Sequence, residues 1–415
     1  MKRGKVYIID ERDGRTLAYS PDASELFYVS SSERSSIPNE IDLEDDRSCD
    51  LPCDNWPPRF TNLQLHLTSR CNSKCIYCYS DSNVVKEDLA EKQISSSIDY
   101  YCKHMSSEDV NIGFFGGGEP LVAWDRLQYA IEHSRDVSAS LGVTLNLSLV
   151  SNGIWSDRQC DFVVEHFNNV TLSFDGPAEI QNRYRPILSG EDSFQKISHI
   201  AKRINSNEGV ALTLSPIITS ETVGRLKEIV SFFCEEYPGA TIYPSCLREY
   251  GDRIKSSGLK PPSIEVFCSS ILESQMMIDT IGSNNKLINP FFSTAPDTVK
   301  SFCGACGDNC IVSSGGFITS CGSVTRPEDQ GGDFFICGEV GDAGVYIDKD
   351  KYLFLRSELS GNNLKECDVC FAKNICRGGC PSVKVRMGDF WRNRCANCES
   401  IKNAFKEYLW KLAEE

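Results

Sequence analysis

The chain is short of positive charge. Its 43 lysines and arginines stand against 58 aspartates and glutamates, a formal balance of -15 over 415 residues. A protein that tracks nucleic-acid phosphates needs a basic footprint, so that class is excluded. Long apolar runs are missing too: none approaches the roughly 20 residues of a membrane span. Met1 to Asp10 contain no apolar h-region and no cleavage site, so they do not read as a signal peptide. Histidine is scarce, with five scattered along the chain. These absences predict a cytoplasmic protein with no nucleic-acid or membrane partner.

Cysteine is what the chain has. There are 21, an odd number, so complete disulfide pairing within one chain is impossible. A disulfide scaffold belongs to short secreted chains, whereas this length allows two or three domains and a sizeable core. Clustered cysteines in a reducing compartment bind metal or do chemistry.

From Thr61 to Ser245 short strand-like runs alternate with helix-like segments such as Glu87–Met105 and Glu221–Glu236. The runs lie at Leu63–Thr68, Asn111–Phe115, Val143–Val150, Val170–Phe174, Val210–Ser215 and Thr241–Pro244. This order predicts βα units and a parallel sheet. Four runs alternate strictly between apolar and polar residues, as in Leu63/Leu65/Leu67 against Gln64/His66/Thr68. A sheet covered by helices on both faces is apolar on both, so one face here requires a wet or liganded cavity, as inside an open barrel. Before this region, Lys5 to Ser31 reads as two or three short strands and Ser32 to Asp50 as an acidic linker. After it come a helix near Pro262–Ile278, a glycine- and cysteine-rich stretch, and a closing amphipathic helix. Ile401, Phe405, Tyr408, Leu409 and Leu412 line one face of that helix, a stripe most simply packed in the core.

Three features carry chemistry. Cys71, Cys75 and Cys78 share one loop after the first strand of the βα series. Three thiolates there can hold three corners of a 4Fe–4S cube and leave one iron open, whereas structural zinc wants four protein ligands. Alone, they indicate a metal and leave its identity open. Gly116-Gly117-Gly118-Glu119-Pro120 ends the second strand; consecutive glycines admit a close ligand, and a glutamate there can hold an ammonium. Downstream stand Cys303, Cys306, Cys310 and Cys321, then Cys367-x2-Cys370-x5-Cys376-x3-Cys380 and Cys398. In isolation these would fit interleaved zinc sites.

The combination resembles the radical S-adenosylmethionine (SAM) superfamily over roughly Thr61 to Ser245. Cys71, Cys75 and Cys78 match its cluster ligands, with Tyr77 at the aromatic position before the third cysteine. Gly116, Gly117, Gly118 and Glu119 match the turn that binds the methionyl amine of SAM. Ser151-Asn152-Gly153 looks like the element after the third strand. Ser173 and Asp175, followed by Arg185, look like the fourth-strand element of the branch that modifies peptides and proteins. That branch usually carries a His-Asp pair before the arginine, where Gln181-Asn182 stand here. The C-terminal pattern resembles a SPASM domain with two auxiliary clusters. Carried over residue by residue, Cys303, Cys306, Cys321 and Cys380 hold the first, and Cys367, Cys370, Cys376 and Cys398 the second. Cys310 could substitute in the first and Cys395 for Cys398.

The resemblance implies an α/β fold: a partial (β/α)6 TIM-like radical SAM barrel with a cysteine-rich C-terminal SPASM domain binding auxiliary iron–sulfur clusters. The expected division is residues 1–60 as a β-rich cap or partial peptide-binding module plus linker, 61–250 as the barrel, 251–300 as a bridge and 301–415 as the SPASM domain. The implied cofactors are SAM and three 4Fe–4S clusters. The implied partners are a precursor peptide and a flavodoxin- or ferredoxin-type electron donor. The activity is then that of an oxidoreductase that installs a thioether or carbon–carbon crosslink, or an oxidation, in a ribosomally made peptide (a RiPP maturase). One alternative is a maturase of whole proteins, such as sulfatases. Against it, Gly322 follows Cys321 where anaerobic sulfatase-maturating relatives carry an aspartate base. Another alternative is an iron–sulfur electron-transfer or scaffold protein without SAM turnover. Cys49 and Cys53 form a pair without a named partner. Cys102, Cys160, Cys234, Cys246, Cys268 and Cys337 read as packed thiols. His66 is predicted to face the lumen beside Gln64.

Overall fold

The computed structural model describes residues 2–21, 25–30, 40–43, 56–80, 85–248, 251–288, 303–359, 367, 370–372, 376, 378–386 and 397–414. Cys49, Cys53 and Cys395 lie outside them.

Eighteen strands are described. A small two-stranded sheet pairs β1 (Lys2–Lys5) antiparallel with β5 (Glu40–Leu43). Part of the acidic stretch expected as linker is therefore a strand. β2 (Tyr7–Arg12), β3 (Arg15–Ser20) and β4 (Glu25–Ser30) form an antiparallel sheet in that order. It sits on the closing helix Cys398–Glu414. Arg12 pairs with Glu407, the Tyr28 hydroxyl donates to the Ala413 carbonyl at 2.8 Å, and Tyr19 meets Phe405 edge-on at 5.6 Å. Of the helix's expected stripe, Ile401, Phe405, Tyr408 and Leu409 are buried, but Leu412 is 39% exposed. The stripe runs out one turn before the helix does.

The main sheet holds eleven strands. Its βα series is β6 (Asn62–Leu65), β7 (Val110–Phe114), β8 (Leu145–Ser151), β9 (Asn169–Leu172), β10 (Ala211–Leu214) and β12 (Thr241–Ile242). All six run parallel to their neighbours. Two further parallel strands flank them: β14 (Lys286–Leu287) beyond β12, and β15 (Asn309–Val312) beside β6. An antiparallel run of β16 (Phe317–Thr319), β17 (Ile336–Gly341) and β18 (Gly344–Ile347) continues from β15. The cysteine-rich C-terminal region thus shares one sheet with the βα series. A short parallel pair, β11 (Ile217–Ile218) and β13 (Ser245–Cys246), prolongs the crossovers.

Helices α1 (Glu91–His104), α2 (Trp124–Leu141), α3 (Asp157–His166), α4 (Ala178–Tyr184), α5 (Ser193–Asn205) and α6 (Leu226–Glu236) connect the strands. Short polar side chains start several of them by accepting from free N–H groups: Ser156 from Gln159 N, and Asp192 from Gln195 N. Gly142, in the left-handed region at φ 69°, ends α2. α7 (Asp252–Ser257), α8 (Ile264–Ile281), α9 (Gly332–Phe335) and α10 (Lys349–Leu359) complete the frame. Leu63, Leu65, Leu147, Leu149, Val170, Leu172, Leu212 and Leu214 point into the helix-covered core, all buried. Their alternating partners line the other face, which leaves the C-terminal strand ends free to carry a site.

Candidate active site

Four strand ends converge. The loop after β6 carries Cys71, Cys75 and Cys78, and it is stitched to the segment after α4. Lys74 N donates to Pro186 O at 2.8 Å, Ile76 N to Tyr184 O at 3.0 Å, and Leu188 N to Asn72 O at 2.9 Å. Asn152, after β8, locks the loop from the other side. Its amide donates to Asn72 Oδ1 at 2.7 Å, Ser73 Oγ at 3.1 Å and the Cys71 sulfur at 3.6 Å. Ser73 N also donates to that sulfur, at 3.4 Å. Burial pushes the Cys71 thiol up to about 12, with the Glu119 charge and those of Cys75 and Cys78 adding to it. Cys75 is likewise raised, to about 11, chiefly by burial. Without a metal these thiols keep their protons, and metal binding releases them.

The glycine turn after β7 lies flat on the cysteine loop. Gly118 N donates to Thr68 O and Glu119 N to Arg70 O, each at 2.8 Å. A Cβ on Gly118 would stand 2.0 Å from Arg70 O, and one on Gly117 2.9 Å from Thr68 O. Gly116 has φ +88°, and a Cβ there would stand 2.5 Å from the His66 ring. Glycine is required here by the chain's own close approach, as well as by any ligand above it. Glu119 is 2% exposed and accepts from Ser151 Oγ at 2.6 Å, Asn152 N at 2.9 Å and Leu121 N at 3.3 Å. It ties the ends of β7 and β8 together directly behind Cys71. Burial raises its pKa, and these hydrogen bonds oppose the rise.

The element after β9 closes the site. Asp175, 1% exposed, accepts from the Tyr77 hydroxyl, from Arg185 Nε at 3.1 Å and from Ile217 N at 3.0 Å. The Arg185 guanidinium lies 5.1 Å from the Tyr77 ring centre. Burial works against that cation, but the Asp175 charge holds its pKa up. Ser173 is half-buried, and its N–H donates to Ser151 O. Gln181 and Asn182, where the branch's His-Asp pair would stand, hold backbone instead. Gln181 Oε1 accepts from Asp175 N at 2.9 Å, and Asn182 Oδ1 from Phe194 N at 2.8 Å. Sequence reasoning missed Asn72, Ser73 and Gln181 as anchors, since no local pattern marks them.

A second group of cysteines lies around β15 and β16, which continue the sheet from β6. Cys303 is exposed as a residue, yet its sulfur is enclosed: burial pushes the thiol up to about 12, and the charges of Cys380, Cys321 and Cys306 act on it. Those are the four expected to share a cluster. Cys310, proposed as a substitute, stands elsewhere: it is 2% exposed on β15, and Cys337 is the charged neighbour acting on it. For the other expected group, Cys370 and Cys398 both act on Lys402, and Cys370 N donates to Cys367 O at 3.1 Å. Among the described residues, no three His, Cys, Asp or Glu side chains could hold a metal ion together. A zinc site draws its thiolates to about 2.3 Å from one point. A 4Fe–4S cube spreads its thiolates over separate irons. Cys160, Cys234, Cys268 and Cys337 are buried as expected, while Cys102 and Cys246 are half-buried.

Residues 65–233 match the family model of the radical SAM superfamily. The chain carries a radical SAM domain. It is 23% identical over 377 residues to a cysteine-type anaerobic sulfatase-maturating enzyme of Clostridium perfringens, covering 84% of this chain and 96% of that one. Two solved structures share the fold. One is native anSMEcpe with bound AdoMet and Cp18Cys peptide, with TM-score 0.67, 20% identity, and coverage of 86% of this chain and 99% of that one. The other is Streptococcus suis SuiB bound to precursor peptide SuiA, with TM-score 0.58, 13% identity, and coverage of 96% and 100%. The α/β architecture is thus the radical SAM fold, with a cysteine-rich C-terminal region consistent with a SPASM domain. The radical SAM family works with SAM and a 4Fe–4S cluster, and the buried thiols of the β6 loop fit such a group. No helix among the described residues is long and apolar enough to cross a membrane.

Proposed function

We propose that this enzyme is a peptide maturase that installs a thioether or carbon–carbon crosslink, or an oxidation, in a ribosomally made precursor peptide. The observation that carries it is the double arrangement. A three-cysteine loop is clamped under the glycine turn at the strand ends, and Cys303, Cys306 and Cys321 flank the strands that continue the same sheet, with Cys380, Cys321 and Cys306 acting on Cys303. When bound, SAM and its cluster supply a deoxyadenosyl radical that takes a hydrogen atom from the substrate. Cys71, Cys75 and Cys78 would hold that cluster. Gly116 to Glu119, Tyr77, Ser151, Asn152, Ser173, Asp175 and Arg185 would shape the SAM site. Cys303, Cys306, Cys321 and Cys380, and the set Cys367, Cys370, Cys376 and Cys398, would hold two auxiliary clusters. The chain's own work is to orient the reactants and exclude water. An external flavodoxin or ferredoxin would supply electrons.

A second reading, maturation of a whole protein of the sulfatase type, is supported by the length and name of the Clostridium relative. Gly322 speaks against it. Reconstituted enzyme with SAM and dithionite should form 5′-deoxyadenosine, and none from protein holding about twelve irons per chain would sink both readings. Adding a short peptide encoded beside the gene, or a sulfatase peptide with cysteine or serine, separates them by which one gains or loses mass.

A further inference from the structure

The described chain buries few cations, and one of them stands at a proposed cluster ligand. Arg356, on α10, is 7% exposed. Its Nη1 donates to Asp308 Oδ1 at 3.2 Å and to the Tyr352 hydroxyl at 3.3 Å. The other oxygen of the same carboxylate, Asp308 Oδ2, accepts from the Cys306 sulfur at 3.1 Å. Thiol, carboxylate and guanidinium therefore form one unbroken chain. It is also firmly held. Tyr352, one helical turn before Arg356, donates to Gly307 O at 3.0 Å, and Asp308 O accepts from Thr61 N at 2.8 Å at the start of β6.

A buried guanidinium costs too much desolvation to be only a helix-to-loop tie unless a counter-charge faces it, and Asp308 supplies that. The same carboxylate then creates a second problem. An iron-bound Cys306 has lost its proton, and its sulfur would face Asp308 as anion against anion. Arg356 is the cation that offsets this repulsion. The potential of an iron–sulfur cluster follows the net charge around it, the hydrogen bonds to its sulfurs and its exposure to solvent. The geometry points to Arg356 and Asp308 as an opposed charge pair that sets the reduction potential of the auxiliary cluster held through Cys306. This rests on the auxiliary-cluster reading above. Of the two, the cation favours the reduced, more negative cluster, and the carboxylate disfavours it.

The test uses the full chain, reconstituted, with Cys71, Cys75 and Cys78 all changed to alanine so that only auxiliary clusters remain. Potentials are read by electron paramagnetic resonance during a dithionite titration. Arg356→Gln should move one auxiliary signal to a more negative potential, and Asp308→Asn should move the same signal the other way. Arg356→Lys, which keeps the charge, should stay near the parent value, and the second auxiliary signal should not move in any variant. A purely structural role predicts lower unfolding midpoints with unmoved potentials. Signals that stay put, or that move in the same direction in both charge variants, overturn the proposal. If Arg356→Gln does not fold, the sign of the Asp308→Asn shift decides alone. A parent that holds no iron beyond the removed cluster, instead of about eight irons, refutes the auxiliary-cluster reading and this proposal with it.

Discussion

The Tyr77 hydroxyl donates to the Asp175 carboxylate across a sequence distance of 98 residues, and Arg185 Nε donates to the same oxygen at 3.1 Å. The charges of this buried triad act in opposite senses on the Cys75 thiol, Arg185 lowering and Asp175 raising its pKa. The triad couples the cysteine loop to the end of β9 and, through Ile217 N, to β11.

Removing its members should cost unequal amounts. Asp175→Asn strands the Arg185 guanidinium in a buried position, a loss of about 3–5 kcal/mol in anaerobic urea unfolding. Tyr77→Phe deletes one donor while Arg185 and Ile217 still satisfy the carboxylate, a loss of about 1 kcal/mol. Equal losses would mean that the charge pair is not what holds this end of the barrel.

Glycine substitutions sort by what a methyl group would meet. At Gly118 it meets the Arg70 carbonyl, which cannot move without dragging the cysteine loop. Gly118→Ala should therefore cost about 3 kcal/mol or more and abolish deoxyadenosine formation. At Gly322 it would sit 3.6 Å from His66 Nε2, an ordinary contact. Gly322→Ala should remain within about 1 kcal/mol of the parent. Thermal unfolding of the two variants side by side checks the order.

What could be read in the sequence follows from which signals are local. The strands of the βα series announce themselves because Leu63/Leu65 and Leu147/Leu149 alternate with polar residues, and a half-wet strand must do so. The cysteine loop and the glycine turn are contiguous, so they too stand out. β14 and β15 do not: β14 has only two residues, Cys310, Ile311 and Val312 of β15 are all buried so no polar alternation marks it, and pairing with β12 and β6 is what makes them strands. β5 hides inside an acidic run. Gln181, as an anchor for Asp175 N, and Asn152, as a lock on Asn72, rest on contacts between distant segments, for which no neighbouring residue gives a cue. Family spacing groups Cys380 with Cys303, Cys306 and Cys321, whereas the neighbourhood of Cys310 and Cys337 comes only from the fold.

His66 makes acid costly. It is 1% exposed, neither ring nitrogen has a hydrogen-bond partner among the described residues, and burial alone lowers its pKa from 6.5 to about 4. The unfolded chain then binds a proton between those values that the folded chain refuses. Stability is full above about pH 6.5 and falls as the pH drops toward 4. The difference between the parent and His66→Gln isolates this group. By pH 5 the parent should have lost about 2 kcal/mol relative to the variant, compared with their difference at pH 7.5. A pH-independent difference would show that His66 is protonated or hydrated in the folded protein.

Iron content should distinguish ligands from bystanders among the C-terminal cysteines. Cys321 acts on Cys303, and its sulfur lies 3.1 Å from Ser323 Oγ, in a pocket that Ser382 also enters. Cys310 is enclosed on β15 beside Leu63, with Cys337 as the thiol that acts on it. Cys321→Ala should therefore lose up to about four irons and four sulfides per chain after reconstitution. Cys310→Ala should keep the full complement and lose only packing, about 1–2 kcal/mol for a small buried side chain. Full iron in Cys321→Ala together with loss in Cys310→Ala would exchange their roles, and would require β15 to turn its Cys310 face toward the cluster.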